Sequence, residues 1–113
     1  MGRWRLSAAV VATALAVASP GARAEDDPTF RIEFRDGQVK PARLAVPART
    51  RIRLELVNLG TTPAEFESNQ LRKEKVLAPG TTAILVIRTL DPGQYDFFDD
   101  FYPDAPPAVL VAE

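Results

Sequence analysis

The chain has 113 residues, with 14 Lys and Arg against 15 Asp and Glu, a formal net charge of −1, and neither cysteine nor histidine. That composition excludes disulfide bridges, histidine-activated nucleophiles and any metal site built on thiolate or imidazole. It also argues against nucleic acid as a partner, because phosphate binding requires clustered positive charge.

Residues 1–24 read as a secretory signal. Arg3 and Arg5 precede an apolar run from Leu6 to Ala18, and Ala22-Arg23-Ala24 forms an A-x-A cleavage site. The run is shorter than the roughly 20 apolar residues that span a bilayer, which predicts export and cleavage with no transmembrane segment left behind. Cleavage removes Arg3, Arg5 and Arg23 but no acid, so the domain expected at 25–113 is acidic.

Glu25 to Pro28 is a polar lead-in. The first strand is FRIEF, where Phe30, Ile32 and Phe34 alternate with Arg31 and Glu33. Asp36-Gly37 ends it with turn chemistry. RLAV, Arg43 to Val46, is a short strand stopped by Pro47. RIRLELVN, Arg51 to Asn58, directs Ile52, Leu54 and Leu56 inward and Arg51, Arg53 and Glu55 outward. Arg49, Arg51 and Arg53 therefore read as a solvated strand face before they read as an anion site.

Leu59 to Pro63 is a loop by composition, and AEFES follows as a strand with Phe66 toward the core. Asn69 to Leu77 is expected to contain a helical turn, and Pro79-Gly80 a reverse turn. TTAILVIRTL is the longest buried-looking run. Asp91-Pro92-Gly93 turns the chain into QYDFFD, and PPAVLVAE supplies the last strand. Seven or eight short strands, punctuated by Gly and Pro and free of a sustained 3.6 period, predict an all-β, Greek-key antiparallel β-sandwich. An apolar core alone must hold it together.

Several acids stand out. Glu65 and Glu67 are two apart on one strand, so both leave the same face while Phe66 packs on the other. Asp99 and Asp100 end another strand, with Tyr102 two residues further on. If the strand ends meet, these carboxylates and the phenol form an all-oxygen site for a hard cation. Fe³⁺ matches carboxylate and phenolate, and Ca²⁺ and Mn²⁺ are also suited. Glu74, between Lys73 and Lys75, is an additional candidate ligand. The plainer reading keeps Glu65 and Glu67 as edge-strand charges, Asp99 and Asp100 as turn acids, and Tyr102 as a packed ring with a bonded hydroxyl. Ser68 is the only serine after the signal, and nothing here activates it.

The order of N-x-G-x-x-P-x-E-F (Asn58 to Phe66), A-P-G (Ala78 to Gly80), P-G-x-Y (Pro92 to Tyr95), an acid-aromatic loop and a terminal strand resembles the cupredoxins. EFESNQLRKEKVLAPG followed by GQYDFFDDFYP is similar, more narrowly, to the small cupredoxin-like proteins of bacterial iron-uptake systems. It also resembles the cupredoxin domain of ferrous-iron uptake lipoproteins. The resemblance implies a periplasmic protein handling iron, or less readily copper. Its implied partners are a periplasmic iron-binding protein and an inner-membrane iron permease.

The same resemblance assigns copper ligands to positions where this chain has none. The first histidine falls near Pro63 to Phe66, the cysteine at Asp99, the second histidine at Tyr102, and the axial methionine near Ala105 to Pro107. A blue-copper oxidoreductase is therefore not expected, and oxidation of ferrous iron would rest on analogy alone. Two expectations remain. One is an accessory module that binds or hands over iron through Glu65, Glu67, Tyr102, Asp99 and Asp100. The other is a metal-free interaction domain presenting Phe97, Phe98, Phe101 and Tyr102.

Overall fold

A two-residue alternation of apolar and polar side chains gives each strand one face for a core and one for water. The computed structural model describes residues 26–113 together with Gly2, so the expected signal segment, Gly2 aside, lies outside the described residues. The strands are β1 (Thr29–Arg35), β2 (Gln38–Lys40), β3 (Arg43–Val46), β4 (Ile52–Asn58), β5 (Ala64–Ser68), β6 (Lys73–Leu77), β7 (Thr82–Ile87), β8 (Gly93–Asp99) and β9 (Ala108–Ala112). They form a four-stranded sheet, β2-β1-β4-β7, and a five-stranded sheet, β3-β9-β8-β5-β6. No described helix is long and apolar enough to cross a membrane.

The all-β sandwich agrees with the expectation from sequence, with nine strands among the described residues instead of seven or eight. The sheets are mixed, however, and not purely antiparallel. β1 runs parallel to β4, and β3 parallel to β9. Each parallel pair arises because the chain crosses to the other sheet before returning, so the returning strand enters from the same end. The added strand is β2, three residues that pair with β1 through Asp36-Gly37. Both turn residues have positive φ, 45° and 91°, the geometry that makes Asp-Gly a hairpin signal.

Two further segments differ from expectation. Asn69 to Arg72 is a tight turn in place of a helical one: the Arg72 amide donates to the Asn69 carbonyl at 3.3 Å, and Arg72 sits at φ 53°. Lys73 onward then pairs with β5. The TTAILVI run is less buried than its composition suggests. β7 is an edge strand bonded only to β4, and it leaves Ile84 exposed.

Ile32, Phe34, Ile52, Leu54, Leu56, Phe66, Phe97 and Leu110 fill the space between the sheets, all fully buried. Phe66 and Phe97 stack with centroids 5.2 Å apart and an interplanar angle of 24°. At one end of the core the buried Asn58 joins the two sheets. Its Nδ2 donates to the carbonyls of Thr62 at 2.9 Å and Leu77 at 3.1 Å, and its Oδ1 accepts from the Gly60 amide at 2.9 Å. These bonds satisfy a polar side chain that would otherwise be costly to bury, and they fix the loop that delivers the chain to β5.

The two sheet positions make opposite predictions for truncation. Phe66→Ala is expected to lower the unfolding free energy by about 3–5 kcal/mol, the range for emptying a buried aromatic site. Ile84→Ala, on the exposed edge, is expected to cost about 0.5 kcal/mol or less. Urea titration of both variants followed by circular dichroism checks the contrast.

Candidate functional site

β5 divides its residues by parity. Ala64, Phe66 and Ser68 are buried between the sheets, while Glu65 and Glu67 leave the outer face half-buried. Residues directly opposite in neighbouring strands share a face. Glu65 therefore lies beside Val76, and Glu67 lies between Glu74 on β6 and Phe98 on β8. Asp99 pairs with Phe66 and so faces inward. Asp100 follows the end of β8, where its amide donates to the Glu65 carbonyl at 3.0 Å.

This arrangement brings three of the expected acids together. Carboxylate oxygens of Glu65, Glu67 and Asp100 all lie within 4.8 Å of one another. Among the described residues, none of the three forms an ion pair with a Lys or Arg. Partial burial, a hydrogen bond with the Glu67 carboxyl and the nearby charge of Asp100 push the Glu65 carboxyl up from 4.5 to about 7. Glu74 stands across from Glu67 as a like-charged neighbour, without joining the trio.

The other expected ligands are engaged elsewhere. Asp99 is 2% exposed, and its Oδ1 accepts from the amides of Glu65 at 3.0 Å and Phe101 at 3.1 Å. Its Oδ2 is buried with no hydrogen-bond partner among the described residues. The Tyr102 hydroxyl is 2.8 Å from Thr62 Oγ1. Its ring lies over Gly37, where an added Cβ would come within 2.8 Å of Tyr102 Cδ1.

That contact leads to a residue the sequence marked only as a turn acid. Asp36 Oδ1 accepts from the amides of Thr61 and Thr62 at 2.9 and 3.0 Å, and from the Thr62 hydroxyl at 2.9 Å. Those bonds, the Thr61 amide foremost, hold the Asp36 carboxyl below its ordinary value. Tyr102 thus belongs to a polar cluster with Thr62 and Asp36. An Asp-Gly turn facing a Thr-Thr loop was the available signal, but nothing in the spacing says that the two loops meet.

The aromatic residues expected on one interaction surface also separate. Phe97 is fully buried against Phe66, which corrects its placement on a surface: its parity puts it on the inner face. Phe98 is half-buried on the outer face beside Glu67. Phe101 is 52% exposed at the start of the β8–β9 loop.

The chain matches the model of the Cupredoxin-like domain family over residues 7–112. It is 33% identical over 81 residues to an uncharacterized protein of Rickettsia prowazekii (strain Madrid E), a match covering 72% of this chain and 65% of that protein. The chain thus spans about two thirds of the length of this relative.

Among solved structures it is similar to auracyanin from Roseiflexus castenholzii, with TM-score 0.64 and 15% identity over 82% of this chain and 99% of that one. It is also similar to a purple cupredoxin from Nitrosopumilus maritimus, with TM-score 0.56 and 15% identity over 74% of this chain and 98% of that one. At these identities the structural likeness concerns the fold alone. The family match over most of the chain is decisive, and the chain belongs to the cupredoxin-like domain family.

The donor set does not fit the copper centre associated with this fold. A blue-copper site takes two imidazoles and a thiolate, and the chain has no histidine or cysteine. Asp99, the position where the resemblance implies a cysteine, spends one oxygen on two backbone amides.

The raised Glu65 carboxyl has a testable sign. Between about 4.5 and 7 the folded state holds a proton there that the unfolded chain has lost. Stability is therefore expected to fall as pH rises through that window. Glu65→Gln is expected to flatten the decline, which thermal unfolding at intervals from pH 4.5 to 8 measures. An unchanged slope in Glu65→Gln would place the titration elsewhere.

Proposed function

We propose that this cupredoxin-like protein is a periplasmic accessory of iron uptake that binds a hard cation, Fe³⁺ by preference, on Glu65, Glu67 and Asp100. The cupredoxin-like fold suggests a small metal-binding or electron-transfer type of protein. With imidazole and thiolate missing, oxygen ligands for a hard cation are the chemistry left to it. The observation that carries the reading is the convergence of three carboxylates within 4.8 Å, with no cationic side chain paired to them among the described residues. A cation there relieves a mutual repulsion that the protein otherwise bears.

The chemistry favours cargo over a resident cofactor. Glu65 and Glu67 stand on a strand and Asp100 at a strand end, so the ligands are held by paired backbone. Glu67 is half-buried and Asp100 exposed, which leaves the bound ion open to a partner's ligands. Such a site suits transient binding and hand-over. The iron-binding protein and the inner-membrane permease enter as proposed recipients through the resemblance of EFESNQLRKEKVLAPG and GQYDFFDDFYP alone.

Phe101 favours a second reading, a metal-free interaction domain. It is 52% exposed and borders an open groove with Asp36, Gly37, Tyr102 and Pro103. In that reading the acids discourage edge pairing, and the aromatic loop meets a protein partner.

Isothermal titration with ferric citrate, Mn²⁺, Ca²⁺ and Cu²⁺ separates the two. The first reading expects one hard cation per chain, with affinity reduced about 10-fold or more in Glu67→Gln and Asp100→Asn, since each variant removes a charged ligand. Absence of hard-cation binding, or equal affinity in the variants, overturns it in favour of the interaction domain.

A further inference from the structure

Asp99 is a buried acid that the carboxylate trio does not use, and its bonds define a task. β5 and β8 share only two register pairs, Phe66 with Asp99 and Glu67 with Phe98. Beyond them the ladder ends, at the residue whose side chain begins the trio. There the Glu65 amide donates to Asp99 Oδ1 at 3.0 Å, and the Glu65 carbonyl accepts from the Asp100 amide at 3.0 Å. Consecutive residues thus grip both backbone polar groups of Glu65.

The same Asp99 Oδ1 takes the Phe101 amide at 3.1 Å, and the Asp99 carbonyl takes the Tyr102 amide at 2.9 Å. The first turn of the loop is thereby wound onto Asp99.

We infer that Asp99 is a positioning residue: from the inner face of the sheet its carboxylate clamps the β5 backbone to the β8–β9 loop, holding Glu65 and Asp100 side by side on the outer face. The forces at the site require such a clamp. Glu65 and Asp100 repel one another when both are ionised, and Asp100 stands on a turn that one interstrand backbone bond ties to β5. A partly buried amide left without its acceptor is costly, and here that bond sits where the repulsion acts.

The orphaned oxygen supplies a control. Because Asp99 Oδ2 has no partner among the described residues, Asp99→Asn keeps the accepting oxygen and alters an atom outside the clamp. Asp99→Leu removes both oxygens and keeps a side chain of similar size. Asp99→Ala replaces it should the leucine variant fail to fold.

Amide hydrogen exchange in the cation-free protein is the first readout. Asp99→Leu is expected to speed exchange at the Glu65 and Phe101 amides by about 10-fold or more relative to Leu110, the factor that leaving an amide without its acceptor implies. Asp99→Asn is expected to stay near wild type. Unchanged exchange in Asp99→Leu, or equal acceleration in both variants, overturns the clamp.

The second readout is Mn²⁺ affinity, and this part rests on the cation-binding reading proposed above. Asp99→Leu is expected to weaken binding about 10-fold, with Asp99→Asn restoring it. If the wild type binds Mn²⁺ and Asp99→Leu binds it equally, the positioning role is overturned while the cation site stands. If the wild type binds no Mn²⁺, the cation reading falls, and the exchange data still decide the clamp.

Discussion

The seam between β5 and β8 is the constraint on which the rest of the larger sheet depends. It joins a three-stranded part, β3-β9-β8, to the β5-β6 hairpin, yet only two residue pairs are in register across it. Side chains complete what the backbone leaves open. At one end Asp99 takes the Glu65 amide. At the other, Ser68 Oγ donates to the Asp96 carbonyl at 2.8 Å, while Gln70 accepts from the Asp96 amide at 2.6 Å and donates to the Gln94 carbonyl at 3.3 Å. The primary amide of Gln70, with one donor and one acceptor engaged, stands in for a residue of a strand. Without these bonds, backbone groups along the seam would lack partners.

The two sheets treat surface charge differently. On the outer face of the four-stranded sheet, Arg31 bridges Glu33 and Glu55 at 3.0 Å each. Such exposed pairs contribute little stability, but they give both acids of that face a basic partner. On the five-stranded sheet, Glu65, Glu67 and Asp100 gather without a basic partner among the described residues. A solvated face has no need of that imbalance, and it distinguishes the trio from ordinary strand acids.

Parity made much of this legible in the sequence. Alternation placed Ile32, Phe34, Ile52, Leu54, Leu56 and Phe66 inward, and it put Glu65 and Glu67 on a common face. It also implied that Asp99 and Asp100 point apart, because they are adjacent. Alternation could not show which of them would meet Glu65, since that depends on the register of β8 against β5, and register is set by long-range packing. Nor could local pattern reveal that β1 and β4 run parallel, or that β7 would be an edge. A run such as AILVI has the same composition whether one neighbour covers it or two. Tyr102 was legible as a packed ring with a bonded hydroxyl, but its partner Thr62 is 40 residues away.

The contact between Tyr102 and Gly37 couples two loops that are distant in the chain. Position 37 combines a φ of 91° with a ring edge where a side chain would begin, so any substitution there is strained on two separate grounds. Removing the ring would lift the second restriction and leave the first. The β1–β2 turn and the β8–β9 loop are therefore not independent targets for engineering. A library that varies the aromatic loop while keeping position 102 samples new surfaces on an unchanged frame. One that varies position 102 as well alters the support under the neighbouring turn, and would confuse changes in recognition with changes in shape.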